Sequence, residues 1–142
     1  MSPSAAGLED VPVTMSDRPV LVVEDDPELR TIYQEVLSDG GFAVVAARDG
    51  VDALEKLDAG TMPCVMLLDL RMPRMTGWEL AERMRADPRW RGVPLVVVAA
   101  YYRIAEEAER LGATAWLQKP IDLSRLVDVV EGACRGSRAP DA

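Results

Sequence analysis

Three short apolar runs of this chain each close on a residue suited to anion or metal chemistry. Val20-Leu21-Val22-Val23 ends at Glu24-Asp25-Asp26, Cys64-Val65-Met66-Leu67-Leu68 at Asp69, and Ala115-Trp116-Leu117-Gln118 at Lys119-Pro120. If the runs are neighbouring parallel strands, their carboxyl ends share one rim of a sheet, where a carboxylate cluster faces a lysine across a crevice. Carboxylates without histidine or thiol suit a hard divalent cation, which keeps several waters and takes one or two carboxylates plus phosphate oxygens. An aspartate attacking phosphorus needs the charge on the transferring oxygens neutralised, and a metal with a lysine supplies that. Without a cation, the packed acids repel and at least one pKa must rise.

The elements that must position these residues can be read from the pattern. Five apolar runs alternate with helical repeats. The expected strands are Val20–Glu24, Phe42–Ala46, Cys64–Asp69, Pro94–Ala99 and Thr114–Gln118, continuous rather than alternating and so buried on both faces. Asp26-Pro27 is a helix start, with Asp as N-cap and Pro at the first position. Leu29, Ile32, Tyr33, Val36 and Leu37 then follow helical spacing until Gly40. Asp49-Gly50 opens a second helix with Val51, Leu54 and Leu57 inward. Gly77 precedes a third, with Leu80, Ala81 and Met84 inward, which Asp87-Pro88 ends. Residues 103–111 form a short fourth helix stopped by Gly112. Asp122 caps a fifth, carrying Leu123, Leu126, Val127 and Val130. Five βα units imply an α/β fold: one doubly wound parallel sheet with five helices over both faces. Ligands of such sheets bind outside the carboxyl ends of the strands, where strand order reverses.

The bulk numbers fit this plan. At 142 residues the chain fills one domain, expected as 19–134, with a flexible leader over 1–18 and a flexible tail over 135–142. A net charge of −8 without a dense basic cluster argues against direct nucleic-acid binding. No apolar run approaches the roughly 20 residues that cross a bilayer, and the N-terminus lacks a secretory signal, so a cytoplasmic location is expected, with no membrane contact. Cys64 and Cys134 have no partner nearby in sequence and are expected as reduced thiols. The chain has no histidine, which removes histidine triads, most zinc sites and a phosphohistidine carrier.

Leu21-Val22-Val23-Glu24-Asp25-Asp26-Pro27, Leu68-Asp69-Leu70-Arg71-Met72-Pro73-Arg74-Met75-Thr76-Gly77 and Gly112-Ala113-Thr114-Ala115-Trp116-Leu117-Gln118-Lys119-Pro120 together resemble the receiver domain of two-component response regulators, from about Arg18 to Cys134. The resemblance implies a flavodoxin-like sheet of order 2-1-3-4-5. It implies that Asp69 is the phosphoacceptor, served by a histidine kinase or histidine phosphotransfer protein. Glu24 and Asp25 match the acidic pair that binds Mg²⁺, Asp25 directly and Glu24 through water. The backbone carbonyl of Arg71 matches the third protein ligand beside Asp69, Lys119 matches the phosphoryl-binding lysine, and the Lys119-Pro120 peptide is implied to be cis. Singly, each residue has a plainer use: Asp26 as a helix cap, Asp25 as a solvated loop acid, Asp69 as a turn starter, Lys119 as a solvated cation, Arg71 as a solvent-facing arginine. The plain uses require a separate coincidence at every strand end.

The chain departs from the family at its switch. Ala99 stands where a threonine or serine hydroxyl would bond a phosphoryl oxygen, and Trp116 occupies the place of the switching tyrosine or phenylalanine. Only 20 positions separate Ala99 from Lys119, slightly fewer than usual. Tyr101 or Tyr102 could fold back to supply a donor. The expectation is a stand-alone receiver, not an enzyme, signalling in a phosphorelay through a downstream protein target, with homodimerisation through the same face of helices 4 and 5 and strand 5 as an equal use. The alternative is a pseudo-receiver, a binding module that works without phosphate, for which Ala99 argues. A phosphotransferase of the haloacid-dehalogenase kind needs a second aspartate two residues past the first, where Arg71 stands.

Overall fold

The computed structural model describes residues 18–72, 74–100 and 103–138. Five strands, β1 (Val20–Val23), β2 (Val44–Ala47), β3 (Val65–Asp69), β4 (Leu95–Ala99) and β5 (Ala115–Gln118), alternate with five helices, α1 (Pro27–Asp39), α2 (Gly50–Asp58), α3 (Gly77–Ala86), α4 (Ile104–Leu111) and α5 (Leu123–Arg138). All neighbouring strands are parallel, in the order β2-β1-β3-β4-β5. The expected leader lies outside the described residues except for Arg18, and α5 runs to Arg138, into the segment expected as tail.

Burial on both faces explains the continuous apolar runs. Val20, Val22, Val65, Leu67, Val96 and Val98 face a core completed by Tyr33 and Leu37 of α1 and Leu126 and Val130 of α5. Leu21, Val23, Met66, Leu68 and Leu95 face the other way, onto Ala53 and Leu57 of α2 and Leu80, Ala81 and Met84 of α3. A smaller cluster joins Val97 and Ala99 to Ile104 and Ala108 of α4. Two inward assignments shift. In α2 the fully buried pair is Ala53 and Leu57, because the small alanine lets the helix approach the sheet, while Val51 and Leu54 pack at its margin. In α5, Leu123 is exposed at the mouth of the first turn.

The punctuation acts as expected, with local corrections. The Asp26 carboxylate accepts from the N–H groups of Glu28 and Leu29 at 2.9 and 3.3 Å, with Pro27 at the first helical position. At the end of α1, Gly40 has φ −79°; the left-handed residue is Gly41, at φ +99°. The Phe42 N–H then closes onto the Leu37 carbonyl at 3.1 Å, so Phe42 belongs to the helix-terminating turn and β2 starts at Val44 rather than Phe42. Gly77 has no positive φ; it is needed for close approach, since a Cβ there would sit 2.5 Å from the Asp69 carbonyl oxygen and 2.7 Å from the Leu70 Cα. The Lys119-Pro120 peptide is cis, as the resemblance implies.

The thiol expectation is overturned. Cys64, just before β3, and Cys134, in α5, form a disulfide with Cα atoms 4.9 Å apart, and both are fully buried. The pairing spans 70 positions and exists because α5 packs across the amino ends of β3 and β4, a proximity no local pattern announces. In the chain-entropy account a loop of this size contributes about 4 kcal/mol. Reduction is therefore expected to lower the urea midpoint by that order of stability. Unfolding curves with and without dithiothreitol measure it, and Cys134→Ser should match the reduced wild type and show no further response to reductant.

Candidate functional site

Three strand ends build the site. β1 delivers Glu24, whose N–H extends the ladder to the Ala47 carbonyl at 3.1 Å, and then Asp25. Adjacent β3 delivers Asp69, its last residue, in register with Val98 of β4. β5 leads into Lys119, whose N–H bonds the Ala99 carbonyl at 2.9 Å. Because the chain leaves β1 toward β2 on one side and continues from β3 toward β5 on the other, the crevice opens between the carboxyl ends of β1 and β3.

The expected groups converge there. Carboxylate oxygens of Glu24, Asp25 and Asp69 lie within 4.8 Å of one another. Lys119 Nζ stands 3.2 Å from Glu24 Oε1 and 3.3 Å from Asp69 Oδ2. Glu24 and Asp69 are 1% and 4% exposed, so their charges are barely screened by water, while Asp25 is half-buried. The Arg71 N–H donates to Asp69 Oδ1 at 3.2 Å, and the Asp26 N–H to Glu24 Oε2 at 3.1 Å. Glu24 Oε1 faces the Lys119 ammonium at 3.2 Å as an ion pair.

Electrostatics follow from this crowding. Burial, then the Asp69 carboxylate, pushes Glu24 up to about 7. Burial also raises Asp69, against the pull of Lys119. Burial alone would lower Lys119, but Asp69 and Glu24 together hold its ammonium above the ordinary lysine range. A single ammonium thus leaves three clustered acids with excess negative charge. An all-oxygen donor set from three clustered acids, whose negative charge one lysine does not balance, suits a hard divalent cation, so the residues fit Mg²⁺.

Sequence reasoning missed some supporting groups. The Arg30 guanidinium, one turn into α1, donates to the Glu24 carbonyl at 3.0 Å and steadies the acidic loop. Arg74, at the tip of the loop after Asp69, pairs with Asp49 at the start of α2. Neither had a local signal beyond a basic residue near an acidic one. At the switch end, Ala99 is buried and brings no hydroxyl, and Trp116 is 43% exposed beside Thr114, Gln118 and Arg125 rather than tucked toward β4. Tyr101 and Tyr102 lie outside the described residues.

A pH dependence follows. The folded-state pKa of Glu24 lies above its ordinary 4.5, so the folded chain holds this proton after the unfolded chain has lost it. Stability in metal-free buffer should therefore fall as pH rises from about 4.5 to 7, by roughly 3 kcal/mol at most, with Asp69 acting in the same direction. Mg²⁺ should raise the melting temperature more at pH 8 than at pH 5. Melts in chelator and in Mg²⁺ across this range measure both effects, and Glu24→Gln should flatten the metal-free profile.

Comparison with known proteins gives this geometry its family. Residues 20–131 match the family model described as the response regulator receiver domain. The chain is 40% identical over 114 residues to the Regulator of RpoS of Escherichia coli, covering 78% of this chain and 33% of that protein, so it spans about a third of that relative's length. It is 34% identical over 115 residues to the chemotaxis protein CheY1 of Helicobacter pylori, covering 79% of this chain and 93% of that one. The solved structure of chemotaxis protein CheY4 from Vibrio cholerae superposes with a TM-score of 0.74 at 29% identity, covering 82% of this chain and 98% of that one. A five-stranded sheet of order 2-1-3-4-5 with carboxylates and a lysine at one rim, matched by that model over most of its length, places this chain in the response regulator receiver domain family.

Proposed function

We propose that the chain receives a phosphoryl group on Asp69 and passes the signal on through protein contacts. The observation that carries this reading is the convergence of Glu24, Asp25 and Asp69 within 4.8 Å, with Lys119 Nζ bridging Glu24 and Asp69. Glu24, Asp25, Asp69 and the Arg71 carbonyl are the groups that would hold Mg²⁺, which supplies neutralisation of charge on the transferring oxygens. An Asp69 carboxylate oxygen attacks phosphorus, the bond from phosphorus to the donor's histidine nitrogen breaks, and an acyl phosphate forms on Asp69. Lys119, freed from its competition between two acids, pairs with a phosphoryl oxygen. The Arg71 N–H steadies the other Asp69 oxygen, and the burial of Asp69 limits water at the reacting bond. The donor is a histidine kinase or histidine phosphotransfer protein, the receiver of the signal is another protein or a second copy of this chain, and the setting is the cytoplasm. The chain acts on no substrate other than the phosphodonor.

Incubation with acetyl phosphate and Mg²⁺, followed promptly by intact-mass measurement, should add the mass of one phosphoryl group to the wild type and nothing to Asp69→Asn. A wild type unmodified by acetyl phosphate or by a phosphorylated histidine donor would sink this reading.

A second reading, a pseudo-receiver whose contacts ignore phosphate, is favoured by Ala99, which offers no hydroxyl where the phosphoryl group would need one, and by the exposed Trp116. The missing hydrogen bond to a charged partner is worth on the order of 1–3 kcal/mol. In the phosphorylated form, coupling from Asp69 to α4 and β5 is accordingly weak. With beryllofluoride and Mg²⁺, amide shifts are expected to concentrate at Glu24, Asp25, Asp69, Arg71 and Lys119 and to stay small at Trp116 and along α4. Large shifts at Trp116 would show that the switch operates without the hydroxyl.

A further inference from the structure

Arg74 is the described non-glycine residue with positive φ, at +68°. A residue with a Cβ is held in this left-handed region only where its surroundings over-determine it. Here the surroundings are specific. The Arg74 guanidinium donates through Nε, at 2.8 Å, and through Nη2 to the same oxygen, Oδ2, of Asp49. The other oxygen, Oδ1, accepts the Asp52 N–H at 2.8 Å and so caps α2. Asp49 is only 5% exposed, and the Asp52 N–H and the Arg74 cation hold its carboxyl below the usual range despite burial. The next loop residue, Met75, is buried against Gly50, where a Cβ would lie 2.9 Å from the methionine side chain. The loop after β3 is therefore pinned at its tip to the first turn of α2 by a charge pair and an apolar contact side by side.

The same loop starts at the site. The N–H of Arg71, its second residue, bonds Asp69 Oδ1, and its end is drawn back by the Gly77 N–H on the Leu70 carbonyl at 3.0 Å. Resting on the reading of Asp69 and its neighbours as a Mg²⁺ and phosphoryl site, we propose that Arg74 and Asp49 are positioning residues: their ion pair anchors the tip of the loop so that the backbone of Arg71 stays fixed over Asp69, and it thereby sets the affinity for the divalent cation. Neither side chain touches the cation. They act as outer partners that orient a backbone ligand, and loss of such partners typically weakens metal binding about tenfold or more. Asp49 lies outside the three motifs that carry the family resemblance, and the link crosses from the β3–α3 connection to the β2–α2 connection.

The test uses Asp49→Asn, Arg74→Gln and the double variant. Asparagine caps a helix as well as aspartate does, so Asp49→Asn keeps the start of α2 while removing the charge; the Arg74 side chain is half exposed and its loss leaves no hole. Mg²⁺ is titrated against each protein by intrinsic fluorescence, and melting is followed in metal-free buffer. Each single variant should bind Mg²⁺ about tenfold more weakly. The double variant should be no weaker than the singles, and metal-free melting should change little. Arg74→Gly separates strain from anchoring: glycine adopts the left-handed conformation freely, so a glycine variant that still loses affinity identifies the ion pair as the cause, and one that binds like wild type overturns the inference. Unchanged affinity in both single variants, or full additivity in the double, also overturns it. A wild type with no response to Mg²⁺ removes the proposed cation site itself, whereas a responsive wild type with equally responsive variants removes only the anchor.

Discussion

The structure turns on one unfavourable proximity: the carboxylates of Glu24 and Asp69, both buried, share a single lysine. Like charges in a poorly solvated crevice are costly, and a chain tolerates them only if the backbone forces the acids together. β1 and β3 do that. They are adjacent, in parallel register and packed on both faces, so their next residues cannot diverge. The rigidity of the apolar sheet is what holds the charges at close range, and the charges are what make the rim chemically useful.

Everything around the rim limits how far this arrangement can relax. Asp26 caps α1 and closes the acidic loop, the Arg30 guanidinium holds that loop's carbonyl, and Gly77 allows α3 to start against the backbone of Asp69 itself. The opposite pole is tied by the buried disulfide between Cys64 and Cys134. By contrast, on the side of the sheet from Ala99 to Trp116, the β4 end at Ala99 carries no hydroxyl and the β5 aromatic, Trp116, is 43% exposed. The rim that holds the acids and Lys119 follows the family motifs, and the side from Ala99 to Trp116 departs from them.

Much of this was legible in order along the chain. Continuous runs of Val and Leu revealed strands buried on both faces, because a half-solvated strand would alternate. Asp26-Pro27, Asp49-Gly50 and Gly112 marked helix ends, because a cap and a left-handed turn are local requirements. Positions where two elements compete for one residue were less legible. Phe42 has the composition of a strand but is claimed by the turn that ends α1, since its N–H reaches the Leu37 carbonyl before β2 can begin. Leu123 fits the helical spacing of α5 yet falls at its first turn, where it stays 38% exposed.

The sequence by itself determined which residues could do chemistry and that they stand at strand ends, because side-chain type and hydrophobic period are local properties. Tertiary structure alone decided the distances: that Lys119 reaches both acids, that Cys64 meets Cys134, and that Arg74 lands on Asp49. These contacts join residues 25 to 95 positions apart. A contact at such separation is set by how helices settle on a twisted sheet, through many small packing contacts summed over the whole core, and no window of sequence contains that sum.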